Sequence, residues 1–182
     1  MSIWTPLRKR RLRKDASAVP TGFIPLRDVR RAAVLIDSSN PEWPSCVKMF
    51  REFCSRSGIS PLVTYADFRK FNKETVLETP RGVTFTRKDL NIIGKPKKAK
   101  ASLLTGECCD VFLCLASDGR FCIEYLSKAV KARFKAGRQP FDGETYNLVV
   151  ASRKDETPDG SGADTTMLKT LEAMLRLLGQ VG

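Results

Sequence analysis

The sequence predicts an α/β protein: a mostly parallel, Rossmann-like sheet with helices on both faces, preceded by a basic N-terminal arm or helix. Three observations predict it. The runs "AAVLID" (residues 32–37) and "DVFLCLA" (110–116) are almost wholly apolar instead of alternating, as strands buried on both faces require. Intervening stretches carry apolar residues at helical spacing. A strand, a helix and a second strand also close within about 35 residues, which is the repeating unit of a parallel sheet. At 182 residues the chain suits an arm over 1–20 and one α/β domain over 21–182.

In chain order, "IWTPLRKRRLRKD" has only Ile3, Trp4, Leu7 and Leu12 as apolar residues, too few for a core-facing stripe. Arg, Lys and Leu are good helix formers, so the segment predicts a short exposed helix docking through Trp4 and Leu7. "ASAVPTG" (16–22) reads as a linker. After the first strand, Asn40, Pro41 and Glu42 supply a cap, a proline at the first helical position and an acid for the first turn. Trp43, Val47, Phe50 and Cys54 then mark the buried face of a helix that Ser57 and Gly58 end. "PLVTYADF" is the second strand and "GVTFTRKDL" (82–90) the third, followed by a short helix opened by Pro96.

Beyond "DVFLCLA", Phe121, Tyr125, Leu126, Ala129 and Val130 form another helical stripe. "ARFKAG" (132–137) alternates apolar residues with Arg133 and Lys135, which predicts a strand with one wet face. "YNLVVA" (146–151) is the last strand. A polar, Gly-rich loop over about 153–165 is expected to be mobile, and a C-terminal helix over about 166–178 is stopped by Gly179.

Charge is the unusual quantity. Lys and Arg number 32 against 20 Asp and Glu, a net +12, the electrostatic footprint of a protein that meets polyanions. Residues 1–31 hold nine cations against two acids, +7 of that excess. Arg8, Lys9, Arg10, Arg11, Arg13 and Lys14 lie within seven residues and repel one another unless counterions or a partner answer them. Lys95, Lys97, Lys98 and Lys100 form a second, acid-free cluster. A solvated helix end or sheet edge is the ordinary alternative for such runs.

Histidine is absent, which removes Ser-His-Asp and Cys-His catalysis, His-ligated zinc or haem and a histidine pH switch. None of the six cysteines forms a C-x-x-C pair, so they predict structural thiols in a reducing compartment, with no metal or redox site. No cofactor is expected. No apolar stretch approaches the ~20 residues that cross a bilayer, and no apolar run follows the basic start as in a secretory signal, so a cytoplasmic location is expected.

In an open parallel sheet, ligands collect beyond the carboxyl ends of the strands. Those ends offer Asp37, Ser38, Ser39 and Asn40 after the first strand, Asp67 after the second, and Ser117, Asp118 and Arg120 after "DVFLCLA". They make a possible pocket, although the same residue types serve ordinary caps and turns. Gly160, Ser161 and Gly162 match no phosphate-loop motif and are surrounded by acids.

The basic start "RKRRLRK", the strand "AAVLID", the step "GKPKK", the segment "CDVFLCLA" and the stretch "IEYLSKAVKARFKAGR" together resemble an uncharacterised family of Bacteroidota proteins known only as a domain of unknown function. The resemblance implies a cytoplasmic α/β protein of this size and assigns no activity. "DVFLCLA", a helix and "ARFKAGR" are also similar to the acceptor-side half of heptosyltransferase-like glycosyltransferases. Those enzymes need a second half for the nucleotide-sugar donor, for which 182 residues leave no room, so this likeness implies fold more than chemistry.

The leading expectation is a non-enzymatic domain that binds nucleic acid, RNA or a ribosomal surface, through the basic arm and the 95–100 lysines. The arm would contact phosphates without reading sequence. The alternatives are a small nucleotide- or sugar-phosphate-binding enzyme with Asp37 or Asp118 as acid or base, and a peripheral protein held on an anionic membrane by the same arm.

Overall fold

A computed structural model describes residues 4–71, 76–116, 120–151 and 166–180. Its centre is β1 (Arg31–Asp37), which pairs in parallel with β2 (Ser60–Asp67) on one side and β4 (Cys109–Cys114) on the other. β3 (Thr84–Thr86) extends the β2 side, while β5 (Ala132–Gly137) and β6 (Leu148–Val149) extend the β4 side. The six strands are all parallel and ordered β3-β2-β1-β4-β5-β6, a Rossmann-like arrangement that reverses direction between β1 and β4.

Burial explains the continuous apolar runs. Ala32, Val34 and Ile36 of β1 enter the core on one face, and Ala33 and Leu35 enter the core on the other. The first face is covered by α2 (Trp43–Arg56) and α5 (Met167–Gln180), with Phe50, Met167 and Leu171 fully buried. Glu42, just before α2, accepts the Leu168 N–H at 3.1 Å, tying the start of α5 to the start of α2. The second face is covered by α3 (Lys98–Thr105) and α4 (Phe121–Ala129), with α1 (Thr5–Asp15) packed against α4.

Close approach matters at Gly137, where a Cβ would run into the Tyr146 ring. That ring is fixed by a 2.6 Å hydrogen bond between its hydroxyl and Ser127 of α4.

Several local expectations change. The third strand is only Thr84–Thr86, because Asp89 accepts from the Thr86 N–H and hydroxyl and turns the chain into a 3-10 helix. The last strand is reduced to Leu148–Val149, and α5 continues through Gly179 to Gln180. The 16–22 linker is held along the body: Ser17 N–H donates to Lys128 C=O at 2.9 Å and Gly22 N–H to Arg133 C=O at 2.8 Å. Lys135 does not face water. It is 4% exposed and donates to the Ser127 and Lys128 carbonyls at 3.0 and 3.3 Å, so α4 covers the face that alternation assigned to solvent. The expected mobile loop at 153–165 lies outside the described residues.

Candidate functional site

The basic arm is a docked helix. At about 100° per residue, Arg8, Leu12 and Asp15 share one face of α1, and each of the three meets the body. Leu12 is buried, whereas Leu7, expected to dock, is 46% exposed. Arg8 Nε donates to Ile93 C=O at 2.8 Å, and its guanidinium lies 5.1 Å from the Phe121 ring centroid. Lys95 Nζ meets the Asp15 carboxylate at 2.5 Å and sits 4.7 Å from the Tyr125 ring centroid, while the Tyr125 hydroxyl donates to Asp15 at 3.2 Å. Burial works to raise the Asp15 carboxyl, but the hydrogen bonds and charge of Lys95, with Tyr125, outweigh it and hold Asp15 below its usual value.

This docking divides the expected polyanion contacts into two groups. Arg8 and Lys95 hold α1 in place, and Lys100 Nζ donates to the Arg81 and Gly82 carbonyls at 2.5 and 2.7 Å. Lys9, Arg10, Arg11, Arg13 and Lys14 are exposed; Lys9 and Arg13 border cavities between α1 and the body, while Arg10, Arg13 and Lys14 lie farthest around the helix from the docked face, and Lys97 and Lys98 are exposed close in sequence to the Lys95–Asp15 pair.

The second candidate lies at the carboxyl ends of the strands. A cavity of about 220 Å³ is lined by Asp37, Ser39, Phe68, Arg69, Arg87 and Arg120, among others. Asp37 accepts from the Ser39 N–H at 2.9 Å and the Ser39 hydroxyl at 2.6 Å, closing a tight turn at the end of β1. Buried Asp67 holds Arg69 through a forked pair, 2.7 Å at its closest. Arg87 Nε donates to Phe68 C=O, and the Arg120 guanidinium lies 5.1 Å from the Phe68 ring centroid.

Of the expected pocket residues, Asp37 and Arg120 both line this cavity. It places Ser38 and Asn40 in structural roles: Ser38 is buried against the end of β2, and Asn40 Oδ1 accepts the Glu42 N–H at 2.9 Å. Ser117 and Asp118 lie outside the described residues. Sequence reasoning passed over Arg69 and Arg87, although both directly follow strand segments, in "YADFR" and "TFTR". The strand-end rule marks Asp67 on the second strand; carried two residues further, and applied to the third strand, it marks Arg69 and Arg87 as well.

These features define a Rossmann-ordered α/β protein with a basic docked helix and an arginine-lined strand-end crevice. The chain belongs to the family of unknown function DUF6913, whose model matches residues 6–160. It is also similar to bacterial ferritins of Neisseria meningitidis and Neisseria gonorrhoeae, 34% identical over 116 residues, 63% of this chain and 68% of each ferritin. Ferritin-like proteins are four-helix bundles with Glu-x-x-His iron ligands. This chain has a six-stranded parallel sheet and no histidine, so the likeness extends to neither that architecture nor that ligand set. No solved structure matches. Among the described residues, no helix is long and apolar enough to cross a membrane.

Proposed function

We propose that this protein binds a polyanion, RNA or a ribosomal surface, on the outward face of α1, extended by Lys97 and Lys98. One observation carries the reading: α1 docks through Arg8, Leu12 and Asp15, which leaves five further cations exposed on a helix anchored to the body. A preordered row of Lys and Arg binds phosphates without the entropy cost of ordering a free tail. Binding, with no chemical step, is the proposed activity, and the six free cysteines fit a reducing cytoplasmic setting.

The test is retention of mixed single- and double-stranded RNA by the purified protein at low salt. Wild type is expected to bind, and the variant Arg10→Ala/Arg13→Ala/Lys14→Ala to lose most of that binding while keeping its melting temperature within a few degrees. Absence of RNA binding by wild type at low salt would overturn the reading. Flotation with anionic vesicles in place of RNA binding would move the same face to a membrane surface. The outward face of α1 offers Leu7 as its exposed large apolar residue, a weak basis for insertion.

A further inference from the structure

We infer that Lys135 is a reversible covalent capture site for a small hydroxylated aldehyde, held as an imine in the cavity between α1, the end of α4 and the loop before β6. Lys135 is 4% exposed and stands in the wall of a cavity of about 330 Å³. That volume is at the small end of ligand sites and suits a short sugar aldehyde better than a nucleotide. β5 brings Lys135 to the last turn of α4, and Leu12 of α1 with Ser17, Val19 and Thr21 of the following segment complete the opposite wall.

A lysine amine is a nucleophile only when neutral, through its lone pair. Lys135 Nζ donates to Ser127 C=O at 3.0 Å and to Lys128 C=O at 3.3 Å, and among the described residues no carboxylate pairs with it. A neutral amine has two hydrogens, which these carbonyls absorb, and its lone pair then stays free. An ammonium has a third hydrogen for which the described residues offer no acceptor. Burial accordingly pushes the Lys135 pKa down to about 8. Near that pH about half of the amines are neutral, against under about 1 in 100 for a lysine in water. The charged and titratable groups around Nζ are Arg13 of α1, Lys128 of α4, Cys109 of β4, and Asp142 and Glu144 of the loop before β6.

Capture needs no further reactant. Nζ attacks the aldehyde carbon, the N–C bond forms as the C=O bond breaks, and the oxygen leaves as water with both amine hydrogens. The imine nitrogen takes up one proton, and its N–H keeps one of the two carbonyl bonds. The negative end of α4 favours the resulting positive charge. Lys128 C=O can release Lys135 without being orphaned, because it also accepts the Ser17 N–H at 2.9 Å. Addition of water returns the aldehyde.

The rest of the cavity selects the aldehyde. Thr145 is 7% exposed and its hydroxyl has no partner among the described residues, a cost that a ligand oxygen would remove. The Ser17 and Thr21 oxygens accept from the Val19 N–H and the Asn147 side chain, both at 3.1 Å, which leaves their hydroxyl hydrogens to donate. Asp142 and Glu144 are exposed and add carboxylate acceptors, which suit hydroxyls and oppose a phosphate. Hydroxyls on the aldehyde can answer each of these groups, and a plain alkyl chain answers none.

Glyceraldehyde with cyanoborohydride at pH 8, followed by peptide mapping of the full chain, tests the inference, because reduction turns the imine into a stable secondary amine. Lys135 should be labelled at least tenfold faster than the exposed Lys9, Lys14, Lys97 and Lys98, at a rate that saturates in glyceraldehyde. Propanal, of equal chain length without hydroxyls, should label Lys135 several-fold more slowly, and Thr145→Val should slow labelling by glyceraldehyde several-fold. Lys135→Arg, which keeps a cation and donors for the two carbonyls, should abolish the saturable phase and leave RNA retention as in wild type, so the two readings fail separately. Should that variant fail to fold, the wild-type site map decides alone. Labelling of Lys135 no faster than that of the exposed lysines, a rate linear in glyceraldehyde, or equal rates with propanal would overturn the inference.

Discussion

Lys135 shows what a single residue contributes. It lies within β5 with its ammonium against the last carbonyls of α4, the negative end of that helix, and burial pushes its pKa down to about 8 from 10.5. The cavity beside it is lined by Arg13, Lys128, Asp142 and Glu144 as well. Because the folded value lies below the unfolded one, the native state holds fewer protons between about pH 8 and 10.5, and stability rises with pH across that window. The full effect is on the order of 3 kcal/mol. Cys46, Cys54 and Cys109, raised by burial to about 12, 11 and 11, work the other way as pH approaches and passes 9, where the unfolded thiols ionise and the native ones do not. The Lys135 effect is therefore read as a difference: between pH 7.5 and 9 the urea midpoint of wild type should gain on that of Lys135→Met, since both carry the same thiols. A difference that does not change with pH would show that the two carbonyl bonds cancel the burial cost. Thr145, whose buried hydroxyl lacks a partner among the described residues, gives a second residue-scale prediction. Thr145→Val should stabilise by about 1 kcal/mol, read as an upward shift in melting temperature. Period-two alternation could not reveal Lys135, because a lysine capping a helix and a lysine in water look alike in one strand.

At the scale of elements, α1 is where sequence and structure diverge most usefully. The local pattern offered Trp4 and Leu7 for docking; Trp4 is half-buried but Leu7 is exposed, Leu12 is buried in its stead, and the polar anchors Arg8 and Asp15 find partners about eighty residues away. Such pairings have no local signature, so an arm could be read from the charge but its orientation could not. Leu12→Ala should cost about 2 kcal/mol locally. Amide exchange should then accelerate over residues 5–15 while the β1, β2 and β4 amides keep their protection. Uniform acceleration across the sheet would mean that α1 is integral to the core. The helices α2 and α5 were legible for the opposite reason: their stripes, Phe50 and Cys54 or Leu171 and Met174, are apolar and regularly spaced, and they face a single core.

For the whole molecule, continuous apolar strands alternating with helices sufficed for a parallel sheet, since both faces must then be covered. They did not reveal the strand order, which depends on which edges meet after the helices pack. That order brings the ends of the second and third strands to the same edge, which is why Arg69, two residues beyond Asp67, and Arg87, inside the expected third strand, have no local signature of a shared cavity. The charge distribution acquires meaning at this scale too. The body holds one side of α1 and leaves basic side chains exposed on the other, so the N-terminal excess of charge is displayed together. The most direct measurement of that claim is the salt dependence of RNA binding. Each neutralised phosphate contributes about 0.7–0.9 to the slope of log K against log salt, so Arg10→Ala/Arg13→Ala/Lys14→Ala should reduce its magnitude by roughly 2–3. An unchanged slope in that variant would place the polyanion elsewhere on the protein and contradict the account.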